Sequence, residues 1–167
     1  MQHTHYTATF KKQKHPISLV CDNINNAPNI GSLFRIADAF NIEELIFCGD
    51  NVPLGKRITK TSRSTQKYVK HKLNTDINAV IKALKTSNHY IIALEITDLS
   101  IELNQFKLKT DQPLALVLGD ENFGICEDVL HMADTVVHIN MYGNNSSMNV
   151  AQATSIALYE ITNQLNY

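Results

Sequence analysis

Beyond Lys109 the chain contains no lysine or arginine, so roughly its last third has no permanent cation with which to hold a phosphate. Cysteine is scarce as well. Cys21, Cys48 and Cys126 are odd in number, far apart, and show neither a CxxC pair nor a metal-ligand spacing. Reduced, mostly buried thiols are expected rather than disulfides or zinc. The seven histidines are scattered, with no HExxH and no His/Asp/Glu grouping, so no metal is expected. A phosphate loop ending in GK[ST], a GxGxxG turn and a GxSxG elbow are all missing, which leaves nucleotide hydrolysis and serine-hydrolase chemistry without support. No apolar run follows Met1 or reaches the length of a membrane span; no membrane association and a cytoplasmic location are expected.

What is present is enough for a core. The chain has 167 residues, 44% of them hydrophobic, which suits one domain that folds without staples. The net charge of -1 conceals a division. Residues 1–72 hold 11 basic and 5 acidic residues, whereas residues 73–167 hold 4 and 11. The densest positive stretch runs from Lys56 to Lys72 without one acid, through Lys56, Arg57, Lys60, Arg63 and Lys67. It reads either as a solvated loop and strand edge or as a polyanion surface that gains from counterion release.

Residues 1–15 read as a polar arm, partly ordered at best, and the domain is expected over 16–167. Apolar runs predict strands at Pro16–Cys21, Glu44–Cys48, His89–Leu94, Leu114–Leu118 and Thr135–Ile139, with a weaker one at Tyr68–His71. Helical spacing appears at Ile30, Leu33, Phe34, Ala37 and Phe40, with Asn29 or a neighbour as cap. It recurs over Ile77–Leu84, over Cys126–Met132, and from Val150 through Leu165. Residues 97–112 read as polar connection. Alternating strands and helices, with strands that are apolar throughout, predict a mostly parallel sheet covered by helices on both faces. Ligands of such sheets sit beyond the carboxyl ends of the strands. Those ends carry the loops Asn23–Asn29, Leu94-Glu95, Gly119–Gly124 and Asn140–Asn149. The 119–124 loop is either a simple turn or a ligand loop whose acids, Asp120 and Glu121, suit a neutral or cationic group. The 143–149 loop is either a helix cap or a polar ligand cradle.

Three segments together resemble a known family. Asn29-Ile30-Gly31-Ser32-Leu33-Phe34-Arg35 is similar to the N-x-G-x-x-x-R motif of the SpoU (TrmH-type) RNA methyltransferases of the SPOUT superfamily. Gly119-Asp120-Glu121-Asn122-Phe123-Gly124 resembles their G-x-E-x-x-G. Ile139 to Gly143 followed by Ser147 to Ala151 resembles their I-P-M-x-G and S-L-N-V-S, with Asn140 in place of the proline, Met148 of the leucine and Ala151 of the final serine. The resemblance covers about residues 16–165. It implies a carboxyl-terminal trefoil knot, a homodimer, S-adenosylmethionine as cofactor, and methylation of a ribose 2′-hydroxyl in tRNA or rRNA. By the same resemblance Leu94, Gly119, Ile139, Ser147 and Met148 line the cofactor pocket. The catalytic set is Asn29, Arg35, Glu121, Ser147 and Asn149, with Arg35 facing the partner's cofactor. Arg35 is proposed as base in the family; a guanidinium hardly loses its proton, so binding phosphate and stabilising the developing alkoxide suits it better. Glu121 is then expected to shape its loop or orient Arg35. With no further RNA-binding domain in these 167 residues, recognition is expected from the domain surface, the dimer or a partner. Two other functions fit the same residues less well: an RNA-binding module without activity, and a base-directed SPOUT enzyme.

Overall fold

Leu114–Leu118 is buried at every residue, and it lies at the centre of the sheet. The computed structural model describes residues 10–50, 52–54 and 60–165. In chain order the strands are β1 (His15–Asp22), β2 (Ile42–Cys48), β3 (His71–Asn74), β4 (Tyr90–Leu94), β5 (Ile101–Glu102), β6 (Leu114–Leu118) and β7 (Thr135–His138). The helices are α1 (Ala27–Ala39), α2 (Ile77–Thr86), α3 (Glu127–Met132) and α4 (Val150–Gln164), with a 3-10 turn at Thr65–Lys67. The sheet order is β3-β2-β1-β6-β4-β7-β5, and every pairing is parallel.

Side chains alternate across the sheet, so a strand covered on both sides must be apolar throughout. Leu114, Leu116 and Leu118 join one cluster with Ile30, Leu33 and Phe34 of α1 and Ala157, Leu158 and Ile161 of α4. Ala115 and Val117 face the other way, against Val80, Ile81 and Leu84 of α2 and Val129 of α3. Each large side chain so buried contributes about 1.5–3 kcal/mol. The expected mostly parallel sheet with helices on both faces is therefore observed.

Three local readings need correction. The weak strand at Tyr68–His71 begins instead at His71, where β3 pairs with β2. The stretch 97–112 includes the short strand β5, and its Leu103 and Phe106 are buried; their isolation among polar residues hid them. The cap of α1 is Asn26, whose side chain accepts from Asn29 N at 3.3 Å. That leaves the side chain of Asn29 free for other partners.

Candidate active site

Because all strands run the same way, their carboxyl ends open on one edge. There a cleft of about 650 Å³ is lined by residues 94–97 after β4, 118–125 after β6, and 147–150 before α4. Among the described residues, no lysine or arginine lines it. A smaller adjoining pocket of about 100 Å³ shares Leu94, Ser147 and Met148 and adds Ile139. All five residues expected around a cofactor thus meet at one place, and their side chains are mainly apolar.

The three motifs are joined by a chain of hydrogen bonds. Asn29, only 8% exposed, donates through Nδ2 to Glu121 Oε1. Its Oδ1 accepts from Asn149 Nδ2 at 3.0 Å. Asn149 is also the cap of α4: its Oδ1 accepts from Ala151 N at 3.0 Å and Gln152 N at 3.4 Å. Each amide is oriented by its neighbour. The carboxylate of Glu121 can only accept, so Asn29 must present its NH₂ there and its oxygen to Asn149. The helix-cap reading of the 143–149 loop is observed, with Asn149 capping α4 through Oδ1 while its Nδ2 donates to Asn29. Glu121 orients Asn29 in this chain, not Arg35.

Arg35 is exposed on α1 and is not among the residues lining the cleft. Its side chain has no hydrogen bond or ion pair among the described residues. The chain on its own therefore assembles Asn29, Glu121, Ser147 and Asn149 but does not bring Arg35 to them. Ser147 lines the cleft and is exposed.

The 119–124 loop is held tightly. A Cβ on Gly119 would lie 2.3 Å from the carbonyl carbon of Gly124 and 2.6 Å from Ile125 N. The space beside this glycine is filled by the loop's own backbone rather than kept for a ligand. Glu95, placed by the sequence at the ligand edge but given no role there, acts as a clamp. Its Oε2 accepts from Ile125 N at 3.1 Å and its Oε1 from Ile96 N at 2.9 Å, tying this loop to the end of β4.

Of the expected RNA-contacting residues, Lys60, Arg63 and Lys67 are exposed, and none is in an ion pair among the described residues. Lys56 and Arg57 lie outside the described residues. Two other lysines of the positive run are neutralised: Lys70 lies 3.4 Å and Lys72 2.9 Å from Glu44 Oε2 on β2. The segment is seated on α1 at Gly31, where a Cβ would meet Thr61 Oγ1 at 2.0 Å. Arg63 and Ser64 both take left-handed backbone, with φ of 51° and 67°. That conformation costs about 1 kcal/mol or more per residue, and the buried Ser62 holds it by accepting at its carbonyl from Thr65 N (3.2 Å) and Thr65 Oγ1 (2.7 Å).

The thiols are as expected in two cases of three: Cys21 and Cys48 are buried, Cys126 is exposed. Burial raises the Cys21 thiol well above its ordinary range and pushes Cys48 up to about 12. Partial desolvation raises Cys126 too.

The profile of the SpoU rRNA Methylase family matches residues 16–159. The chain belongs to that family. An uncharacterized tRNA/rRNA methyltransferase of Borreliella burgdorferi is 31% identical over 95% of this chain and 68% of its own length. The 23S rRNA (guanosine-2'-O-)-methyltransferase RlmB of Blochmanniella floridana is 30% identical over 97% of this chain and 64% of its own. The chain thus spans about two thirds of these relatives. Its fold superposes on an AdoMet-bound rRNA methyltransferase from Sinorhizobium meliloti with a TM-score of 0.83, at 21% identity, over 92% of this chain and 59% of that one. The chain is accordingly a member of a family of RNA methyltransferases; its second and third SpoU motifs line the cleft, and the first is tied to them through Asn29.

Proposed function

We propose that this SpoU-family chain methylates a ribose 2′-hydroxyl of tRNA or rRNA with S-adenosylmethionine. The observation that carries this reading is the Glu121–Asn29–Asn149 hydrogen-bond chain at the mouth of a cleft that no lysine or arginine lines among the described residues. Such a cleft disfavours phosphate-bearing cofactors and suits a sulfonium beside an adenosine. Leu94, Ile139 and Met148 supply apolar walls for that adenosine, and Glu95, Asp120 and Glu121 supply negative charge nearby. S-adenosylmethionine, when bound, supplies an electrophilic methyl group that needs no metal. The named 2′-O activity of the RlmB relative supports ribose as the acceptor.

In this reading Ser147 and Asn149 orient the ribose in line with the methyl group, and Asn29 holds Asn149 in place. Arg35 acts across a homodimer, in the partner's cleft, where its guanidinium binds the flanking phosphate and stabilises the developing alkoxide. Its exposure away from its own cleft supports that arrangement. Lys60, Arg63 and Lys67 supply a positive surface for the RNA. The carboxyl-terminal part is tied in a trefoil knot, a rare exception to unthreaded folding. The placement of β6 and β7 on either side of β4, with both following loops turned into one cleft, supports this.

Calorimetric titration with S-adenosylmethionine, followed by mass spectrometry of nucleosides from RNA treated with the protein, tests the proposal. Saturable heat and a 2′-O-methylnucleoside are expected. No heat would leave an RNA-binding module, and a methyl group on a base would overturn ribose as the target.

A further inference from the structure

Phe123 is 87% exposed, yet it sits on a loop held by several hydrogen bonds and lines the cleft. The buried carboxylate of Asp120 accepts from Asn122 N at 2.8 Å and from Phe123 N at 3.1 Å, and Asp120 O accepts from Gly124 N at 2.8 Å. Glu95 fixes the next residue, Ile125. The backbone on both sides of Phe123 is thus immobilised while its ring packs on nothing in the core. An exposed phenyl on a mobile tip needs no explanation. This one is presented on a rigid loop, two residues from Glu121, which contacts Asn29. Ile96, 54% exposed, lines the same cleft, so the rim carries apolar surface. The loop itself bears Asp120 and Glu121 and no cation, so a phosphate is not what it receives.

We infer that Phe123 is the stacking platform for the nucleobase of the nucleotide being methylated. The inference rests on the RNA-methylation reading above. A flat, uncharged π-face accepts any base, and stacking it there directs the attached ribose toward Ser147 and Asn149, which line the same cleft. Specificity for the nucleotide then includes a term for stacking strength, with purines favoured over pyrimidines.

The test uses the full chain and unfractionated RNA from a strain deleted for the gene. KM and kcat for methyl transfer, and RNA affinity by filter binding, are compared for wild type, Phe123→Leu and Phe123→Trp. Leucine keeps apolar bulk without a π-face, so RNA KM is expected to rise about 10- to 100-fold with little change in kcat, while tryptophan restores it. Affinity for S-adenosylmethionine and the sedimentation coefficient stay at wild-type values. Wild-type KM in Phe123→Leu overturns the platform, as does a sedimentation coefficient showing that the residue holds a second copy instead. If wild type transfers no methyl group, the methylation reading fails by itself. The filter-binding comparison then still decides the platform, supported by lost affinity in Phe123→Leu and overturned by unchanged affinity.

Discussion

Asn149 reaches Asn29 across 120 positions of chain, Nδ2 to Oδ1 at 3.0 Å, while its other amide atom caps α4. One side chain therefore serves helix stability and site geometry through different atoms, and substitution can separate them. Asn149→Asp keeps the capping oxygen and removes the donor. We expect thermal stability near wild type and turnover reduced at least tenfold. Asn149→Ala loses both and should be less stable by about 1 kcal/mol. Calorimetric melting beside methyl-transfer rates checks the split; full turnover in Asn149→Asp would show that the bond to Asn29 is dispensable.

Gly119→Ala forces a methyl group against the backbone at Gly124 and Ile125. Backbone held by Asp120 and Glu95 has little room to yield, so a loss of about 1–3 kcal/mol is expected, together with weaker cofactor binding. Urea unfolding and titration with S-adenosylmethionine would measure the two losses.

At Gly31 the obstruction is different in kind. The added methyl meets the side chain of Thr61 and comes within 3.0 Å of Ser62 N. Gly31→Ala should lift the segment bearing Lys60, Arg63 and Lys67 off α1, while the sheet stays folded. RNA affinity should fall several-fold and its salt dependence flatten, with cofactor affinity retained. Replacing Arg63 and Lys67 by Ala should reproduce the RNA effect with no change in stability.

For Arg35→Ala we expect turnover to drop by two orders of magnitude or more, with S-adenosylmethionine binding intact, because the residue lies outside its own cleft. In the proposed dimer, mixing Arg35→Ala with an Asn149→Asp chain should restore part of the activity. Failure of such mixtures to recover would argue that each subunit works alone.

The buried thiols make an alkaline prediction. Cys48 ionises near 9.0 when unfolded and about 12 when folded, so above pH 9 the unfolded chain binds fewer protons than the native one. Stability is full below pH 9 and declines as pH rises toward 12. Cys48→Ala should flatten that decline. In the native protein at pH 7.5, iodoacetamide should leave Cys21 and Cys48 unmodified and react slowly at Cys126, whose thiol is also raised.

Much of the architecture was legible from residue pattern alone. The run Leu114–Leu118 could only be a strand covered on both faces, and the spacing of Val150, Thr154, Ala157, Leu158 and Ile161 could only be one face of a helix. The three SpoU segments and their order were equally plain, because each is a short local signature. Tertiary structure decided which atoms meet. It assigned the cap of α1 to Asn26 and so released Asn29 for Glu121 and Asn149. It filled the space beside Gly119 with the loop's own backbone, brought in Glu95 as a clamp, and cancelled Lys70 and Lys72 against the acids of β2. Periodicity reports which face of an element is buried, since that depends on neighbours three or four residues away. A hydrogen bond between residues 92 or 120 positions apart depends on strand order and register, and no local pattern carries that information.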